Sequence, residues 1–522
     1  MSLEAFLHQL HFEISKTQPP DWEVDWEDAP LPYKLYRGLP VIPLSSEVPL
    51  TLKERETPVK PALREISHFL WYVFGVTQCF QSFHPLNPRE QKIPMYRRFV
   101  PSGGALYPNE LYVYLKIEDL PHGIYHYDGA HHRLVLIRKG NFDSYLTRTL
   151  GNRCDVSACF ALAFVSVMFW KNFFKYKYLA YRLQGLDTGV LIGQLLEVAR
   201  RFGFASGVYF QFLDRAVHHL LGLTEREESV YAMIPLSAEE GITWFADRNH
   251  RGAVSATELC EEITLVRHDY EVRSKRIREY QMLTRINEAS LFESTSAFRT
   301  VNSEKNRSQK GQIVALPHVN RLSYDLAQAC RKRISPGTDF VLEKMGQGQL
   351  ASLLREATAS FLYRNDLDEA LEDSMPRVSL VGCLYGVEGI PDGAYSYDRT
   401  DHALRRVRSE DQRPRLQQEM SQHTVNLSQV PLCLHVAGDR NHLKRALGYR
   451  GYRIQQMEAG MLVQRLLLVA SALGMGGHPL LDFHTNSCDE LYKIDSQGKT
   501  TLIQIPIGPY RLRPWLQASL HR

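Results

Sequence analysis

Four short segments of this chain carry groups that could hold a flat anionic ligand and move a proton beside it. The first is Arg98-Phe-Val-Pro101-Ser102-Gly103-Gly104-Ala105-Leu-Tyr-Pro108-Asn-Glu110. Ser102 and the two glycines let the backbone approach a planar ring edge with no Cβ in the way. The peptide groups then offer donors and acceptors together, which suits the pyrimidine edge of a flavin. A tight turn before a strand would read the same. The second is Phe173-Phe174-Lys175-Tyr176-Lys177-Tyr178-Leu179-Ala180-Tyr181-Arg182. A lysine held among rings near Arg182 loses hydration and meets like charge. Both effects lower its pKa toward the range of a general base. An aromatic face on a sheet, with lysines reaching out to water, has the same composition.

The third segment is Arg331-Lys332-Arg333-Ile334-Ser335. Guanidinium forks and a hydroxyl suit a phosphate, although a solvated basic run looks alike. The fourth, Gly474-Met475-Gly476-Gly477-His478-Pro479, follows a long apolar stretch. It could set backbone amides beside a cofactor, and a helix C-cap explains Gly474 equally well. His68, His84 and the pair His218-His219 support no metal or triad reading, and there is no nucleophile elbow or Walker loop. The eight cysteines form no CxxC pair; Cys154 and Cys159 are the nearest neighbours. Met1-Ser-Leu-Glu-Ala lacks the charged and apolar regions of a secretory signal. The longest helical candidate is interrupted by Glu197, Arg200 and Arg201, so no membrane span is expected. A net charge of +4 over 522 residues gives no reason to expect nucleic acid or a membrane surface as partner. The expectation is a reduced, cytoplasmic, metal-free protein.

The elements that must position these segments occur twice. Tyr181-Arg182-Leu183-Gln184, Gly189 and Gly203 return as Tyr452-Arg453-Ile454-Gln455, Gly460 and Gly474; 452 − 181, 460 − 189 and 474 − 203 are all 271. The same shift carries Leu220 to Leu491 and Pro235 to Pro506, and Gly123-Ile-Tyr-His-Tyr-Asp128 returns as Gly393-Ala-Tyr-Ser-Tyr-Asp398. Two halves of one fold are fused in tandem. Hydrophobic residues at 44% can build both cores. Helical spacing marks 62–76; strands are expected at 110–117, 134–138 and 160–167, with a turn at 120–123. The stretch 183–202 is apolar on most faces, so it should be a helix buried between layers. The second half repeats this with strands 377–385, 431–437 and 501–507 and a helix at 454–473. Residues 1–55 show little periodicity and read as an extension wrapping the surface; 256–290 reads as charged and helical, 296–311 as a flexible linker. The expected domains are the extension 1–55, a first half 56–240, a helical linker 241–312 and a second half 313–522. The fold class is α+β, each half a small sheet covered by helices.

Taken together, these residues resemble the FMN-dependent nitroreductase-like superfamily, and within it the SagB-type azoline dehydrogenases in tandem form. The resemblance rests on Arg98-x-x-Pro101-Ser102-x-Gly104-Ala105-Leu106-x-Pro108-x-Glu110, on Gly123-x-Tyr125-x-Tyr127, and on Lys175-Tyr176 followed by Ala180-Tyr181-Arg182. Leu31-Pro-Tyr-Lys-Leu-Tyr36 adds to it, and the likeness covers roughly 25–235 and 320–510. The resemblance implies an intramolecular pseudo-dimer with FMN between the halves. It implies that Arg98, Pro101, Ser102, Gly103, Gly104 and Ala105 come from the first half. Arg331, Arg333, Ser335, Gly474, Met475, Gly476, Gly477, Arg511 and Arg513 would come from the second. The implied reaction oxidises a thiazoline or oxazoline of a peptide or small molecule to the aromatic ring, with Lys175 as base, Tyr176 beside it and oxygen as acceptor. The family often has glycine after Lys-Tyr; here Lys177 stands there, which leaves the base open between Lys175 and Lys177. The second half has Ala446 and Leu447 at the positions of Lys175 and Tyr176. A reciprocal Pro-Ser-Gly-Gly loop would fall near 371–376, which reads Leu-Glu-Asp-Ser-Met-Pro, and only Arg64 and Ser67 echo the basic segment. One FMN site per chain and one degenerate site are expected, and the pseudo-dimer could pair again. The alternatives are an NAD(P)H-dependent nitro or quinone reductase on the same fold and a non-catalytic flavin- or peptide-binding scaffold.

Overall fold

The computed structural model describes residues 1–17, 22–55, 58–81, 94–239, 244–245, 252–301, 311–359, 363–368, 376–420, 422–512 and 517–519. Each half forms a seven-stranded antiparallel sheet, and the two sheets have the same strand order. From edge to edge the first runs Val41–Pro43, Arg133–Lys139, Gly123–Asp128, Asn109–Leu115, Ala161–Met168, Glu228–Ser237, Ala205–Ser206. The second runs Ile313–Ala315, Ala403–Ser409, Gly393–Asp398, Ser379–Leu384, Leu432–Asp439, Lys499–Gly508, Gly476–Gly477. The central strands are covered on both faces. Asn109–Leu115 and Glu228–Ser237 are buried throughout, which is why their sequences are near-continuous apolar runs rather than alternating ones.

Between the sheets lie two long helices, Ala180–Phe202 and Arg450–Ala472, packed against each other. Their crossing is set by Gly189 and its repeat mate Gly460. A methyl on Gly189 would lie 1.9 Å from the Met457 carbonyl oxygen, and one on Gly460 would lie 2.1 Å from that of Leu186. Tyr181 and its mate Tyr452 stack across the same axis, centroids 5.7 Å apart and planes 10° off parallel. Backbone oxygens inside two buried helices cannot yield as a side-chain tip can. Gly189→Ala is therefore expected to cost about 3 kcal/mol of stability, the upper end for overpacking, measured by denaturant unfolding.

Two expectations are corrected. The extension does not simply wrap the surface: it opens with the helix Leu3–Phe12, capped by Ser2, whose Phe6 and Leu10 are fully buried in the main core. Its His11 carbonyl accepts a hydrogen bond from Thr485 of the second half. Within 256–290 only Ala256–Glu262 and Gln281–Glu288 are helical. Residues 263–280 run in open chain, where Asp269 and Glu271 exchange backbone hydrogen bonds with Arg37 and Leu35 of the extension. Pairing with a distant segment overrides the helical propensity of the charged residues. Of the expected linker 296–311, residues 302–310 lie outside the described ones.

The halves exchange material. The tail strand Gln517–Ser519 pairs with Val76–Gln81 of a first-half hairpin whose other arm is Pro94–Arg98. Asp214 of the first half accepts from Arg450 at 2.7 Å and Arg453 at 3.1 Å, both on the second long helix. Among the described residues no helix is long and apolar enough to cross a membrane, and no cluster of three or more His, Cys, Asp or Glu could hold a metal.

Candidate active site

A cavity of about 680 Å³ lies between the halves. The first half contributes Pro101, Ser102, Gly103, Gly104, Ala105 and Arg97; the second contributes Arg333, Ser335, His478 and Arg511. The glycine-rich turn is held from below. Ser102 Oγ donates to Asp187 at 2.6 Å and accepts from Tyr107 N at 2.9 Å, while Gly103 N donates to Asp187 at 3.2 Å. Gly104 sits at φ 62°, left-handed backbone that favours glycine.

The motif's final residue, Glu110, positions the second motif. It accepts from His126 at 2.8 Å and pairs with Lys171, and both charges are buried. Those partners hold the Glu110 carboxyl down at about 2 against the opposing effect of burial. Lys171 lies in the first turn of the short helix Trp170–Tyr176, so this ion pair clamps the helix to the motif strand. Lys175 and Tyr176 then stand over the turn. A methyl on Gly104 would meet Tyr176 Oη at 2.5 Å and Lys175 Nζ at 2.9 Å. Burial lowers the pKa of Lys175 and raises that of Tyr176 to about 12. Lys175 Nζ is 5.3 Å from the Trp26 ring centre and 4.9 Å from that of Tyr176.

Lys177 is not placed as its neighbour is. It adopts φ 52°, ψ −135°, nearly the backbone of its repeat mate Gly448 at φ 56°, ψ −145°. The position requires a glycine-like conformation, and a lysine there stores strain. Lys177→Gly is expected to raise stability by about 1 kcal/mol, strain relief outweighing the entropy cost of glycine, read from the denaturant midpoint.

Several expected residues fall elsewhere. Arg98 turns inward, donating to the Phe74 carbonyl at 2.6 Å and lying over the Phe74 ring; its strand neighbour Arg97 faces the cavity instead, as alternation demands. Arg331 turns out to the Leu50 carbonyl, and Arg333 enters the wall. Gly474, Met475, Gly476 and Gly477 stop short of the cavity. Gly476–Gly477 is an edge strand, the Gly476 Cα packs against Pro336, and the lining begins at His478. Arg513 lies outside the described residues, as do 371–375 of the expected degenerate loop and His84.

Sequence reasoning missed Arg97 and Asp187. Arg97 was hidden by its neighbour, because only the strand's direction decides which of two adjacent arginines faces inward. Asp187 had a signal: an acid within an apolar helical stretch. Its carboxyl is buried, and that pushes its pKa up to about 7 despite the two hydrogen bonds it accepts. A folded pKa above the unfolded value means stability that is complete below about pH 4 and lost as pH rises through about 7. The loss is at most about 4 kcal/mol. Asp187→Asn, which can still accept both hydrogen bonds, should flatten that decline when the protein is unfolded across pH 4 to 8.

The walls fit a phosphorylated planar ligand. Nη2 of Arg97 and Nε of Arg333 are buried without a hydrogen-bond partner. Burial and the nearby Arg97 push the Arg333 pKa down to about 10. Two desolvated guanidiniums with idle N–H groups are a site for a dianion.

Two like sheets thus enclose a crossed helix pair, with the cavity between the halves. The nitroreductase family model matches residues 58–236 and 388–508, and the chain belongs to that family. MJ1384 of Methanocaldococcus jannaschii, a nitroreductase by name, is 28% identical over 122 residues, 23% of this chain and 60% of that one. The microcin B17-processing protein McbC of Escherichia coli is 29% identical over 137 residues, 25% of this chain and 50% of that one. The chain thus spans 50–60% of these relatives' own lengths. A crystal structure from Anabaena variabilis, also a nitroreductase by name, superposes with a TM-score of 0.74 over 98% of this chain and 99% of that one, at 19% identity.

Proposed function

We propose that this chain is an FMN-dependent dehydrogenase that converts thiazoline or oxazoline rings of a peptide natural product to thiazole or oxazole. The observation that carries the reading is the convergence of Lys175 Nζ and Tyr176 Oη on Gly104, at the edge of a cavity walled by unpartnered Arg97 and Arg333 nitrogens. Arg97, Arg333 and Arg511 would hold the FMN phosphate, and the Ser102–Ala105 turn would hold the ring edge. Bound FMN would supply the hydride acceptor and pass the electrons to oxygen. Lys175, made less basic by burial, takes the proton from a ring carbon of the azoline. Tyr176 stays protonated at neutral pH and donates a hydrogen bond to the substrate ring. Asp187 keeps the turn in place through Ser102 and Gly103. The 29% identity to a microcin-processing protein supports a peptide substrate.

The visible spectrum of the purified protein, with released cofactor identified and counted, tests this first. About one FMN per chain is expected. An azoline-bearing peptide incubated with the protein in air should then lose two hydrogens per ring by mass spectrometry. A flavin-free protein that takes up no added FMN would overturn the reading.

A further inference from the structure

A second cavity, of about 610 Å³, lies further along the same helix pair. Val190 lines the first cavity and its repeat mate Met461 lines the second. Its floor is apolar, made by Leu196, Phe204, Met461 and Leu468. Five arginines line it, Arg200, Arg321, Arg355, Arg364 and Arg465, against two acids, Glu197 and Glu356.

The acids are already engaged. Arg465 bridges Glu197 and Glu356, and Glu197 also takes Arg200. Glu54, outside the lining, accepts from Arg200 at 3.0 Å and Arg321 at 2.9 Å. Arg364 lies over the rings of Trp244 and Phe245, 5.2 and 5.7 Å from their centres. Arg355 donates to the Val319 carbonyl and makes no ion pair among the described residues. Among the described residues, the five lining arginines outnumber the two lining acids and Glu54 together. A cleft with an excess of positive charge over a low-dielectric floor concentrates anions.

Three groups around the glycine turn of the first cavity have unlike mates in the second half. Asp187 anchors the glycine turn of the first cavity, but its mate Glu458 accepts instead from Arg377 Nε at 2.8 Å and Tyr363 Oη at 2.9 Å. Tyr363 itself lines the second cavity. Lys175 and Tyr176 are replaced by Ala446 and Leu447. We propose that this second cavity binds a small organic phosphate of mononucleotide size, with its ring on the apolar floor and its phosphate on Arg321 and Arg355. The fork of an arginine suits phosphate oxygens, and the floor discriminates against the bare inorganic ion.

The test uses full-length protein saturated with FMN, with AMP as probe in equilibrium dialysis. One AMP per chain is expected, competed by pyrophosphate, with adenosine and inorganic phosphate each binding at least tenfold more weakly. The double variant Arg321→Gln, Arg355→Gln should lose AMP at least tenfold with FMN content and circular dichroism unchanged. Absence of binding by both AMP and pyrophosphate would overturn the proposal, as would AMP binding unaffected by the double variant. A second FMN per chain that the double variant releases would overturn it too, by making the cavity a flavin site.

Discussion

Lys175→Ala is expected to lower azoline dehydrogenation by about 10²–10⁴-fold, the usual worth of a positioned general base, with FMN content unchanged. The lysine is the cation whose nitrogen reaches Gly104, and the residues assigned to FMN are left intact in the variant. Its pKa is lowered by burial, which enlarges the neutral fraction that can accept a proton. The wild-type rate should therefore rise with pH up to that lowered pKa, and the variant should lose this limb. Lys177→Ala should leave the rate within a few-fold, because Lys177 occupies a backbone conformation shared with Gly448 rather than a place over the turn. Reduction of a nitro compound by a nicotinamide, if the protein supports it, should survive Lys175→Ala, because hydride transfer from the nicotinamide requires no base at that position. Stopped-flow reduction of the flavin by an azoline peptide, compared with reduction by NADPH, separates the two.

Asp214→Ala is expected to destabilise the protein by about 3–5 kcal/mol. The carboxylate is fully buried and accepts from the guanidiniums of Arg450 and Arg453, themselves about 1% exposed or less. It also accepts from Phe292 N at 2.8 Å. Removing it strands two buried cations that the apolar surroundings cannot solvate. Burial and the neighbouring Arg453 already push the Arg450 pKa down to about 10. Arg450 further donates to the carbonyls of Phe210 and Ser290, so one network joins both halves and the linker. A lowered unfolding midpoint is the expected outcome, with loss of the proposed FMN, since the cavity between the halves depends on the same junction. Unchanged stability would mean that the arginines find water or another acceptor.

The amino-acid sequence by itself determined the tandem repeat, because a constant shift of 271 is a property of spacing and needs no contact. It marked strands at 110–117, by alternation, and at 160–167, 377–385, 431–437 and 501–507, and both long helices by their apolar stretches, but not the strand Glu228–Ser237. It also singled out the glycine turn and Lys175-Tyr176, where residue type and spacing together limit what the backbone can do. The tertiary structure alone decided which of two neighbours serves the site: Arg97 and not Arg98, and Arg333 and not Arg331, line the cavity, and Lys175 rather than Lys177 reaches Gly104. Adjacent side chains diverge according to strand direction and to backbone angles that long-range packing imposes. It alone brought Asp187 under Ser102, 85 residues distant in the chain. It alone left open chain where 263–280 had helical composition, with Asp269 and Glu271 bonded to Arg37 and Leu35 of the extension. The second cavity was likewise invisible in sequence, since its five arginines come from four separate stretches that only the crossing of the two long helices and the segments packed on them gather.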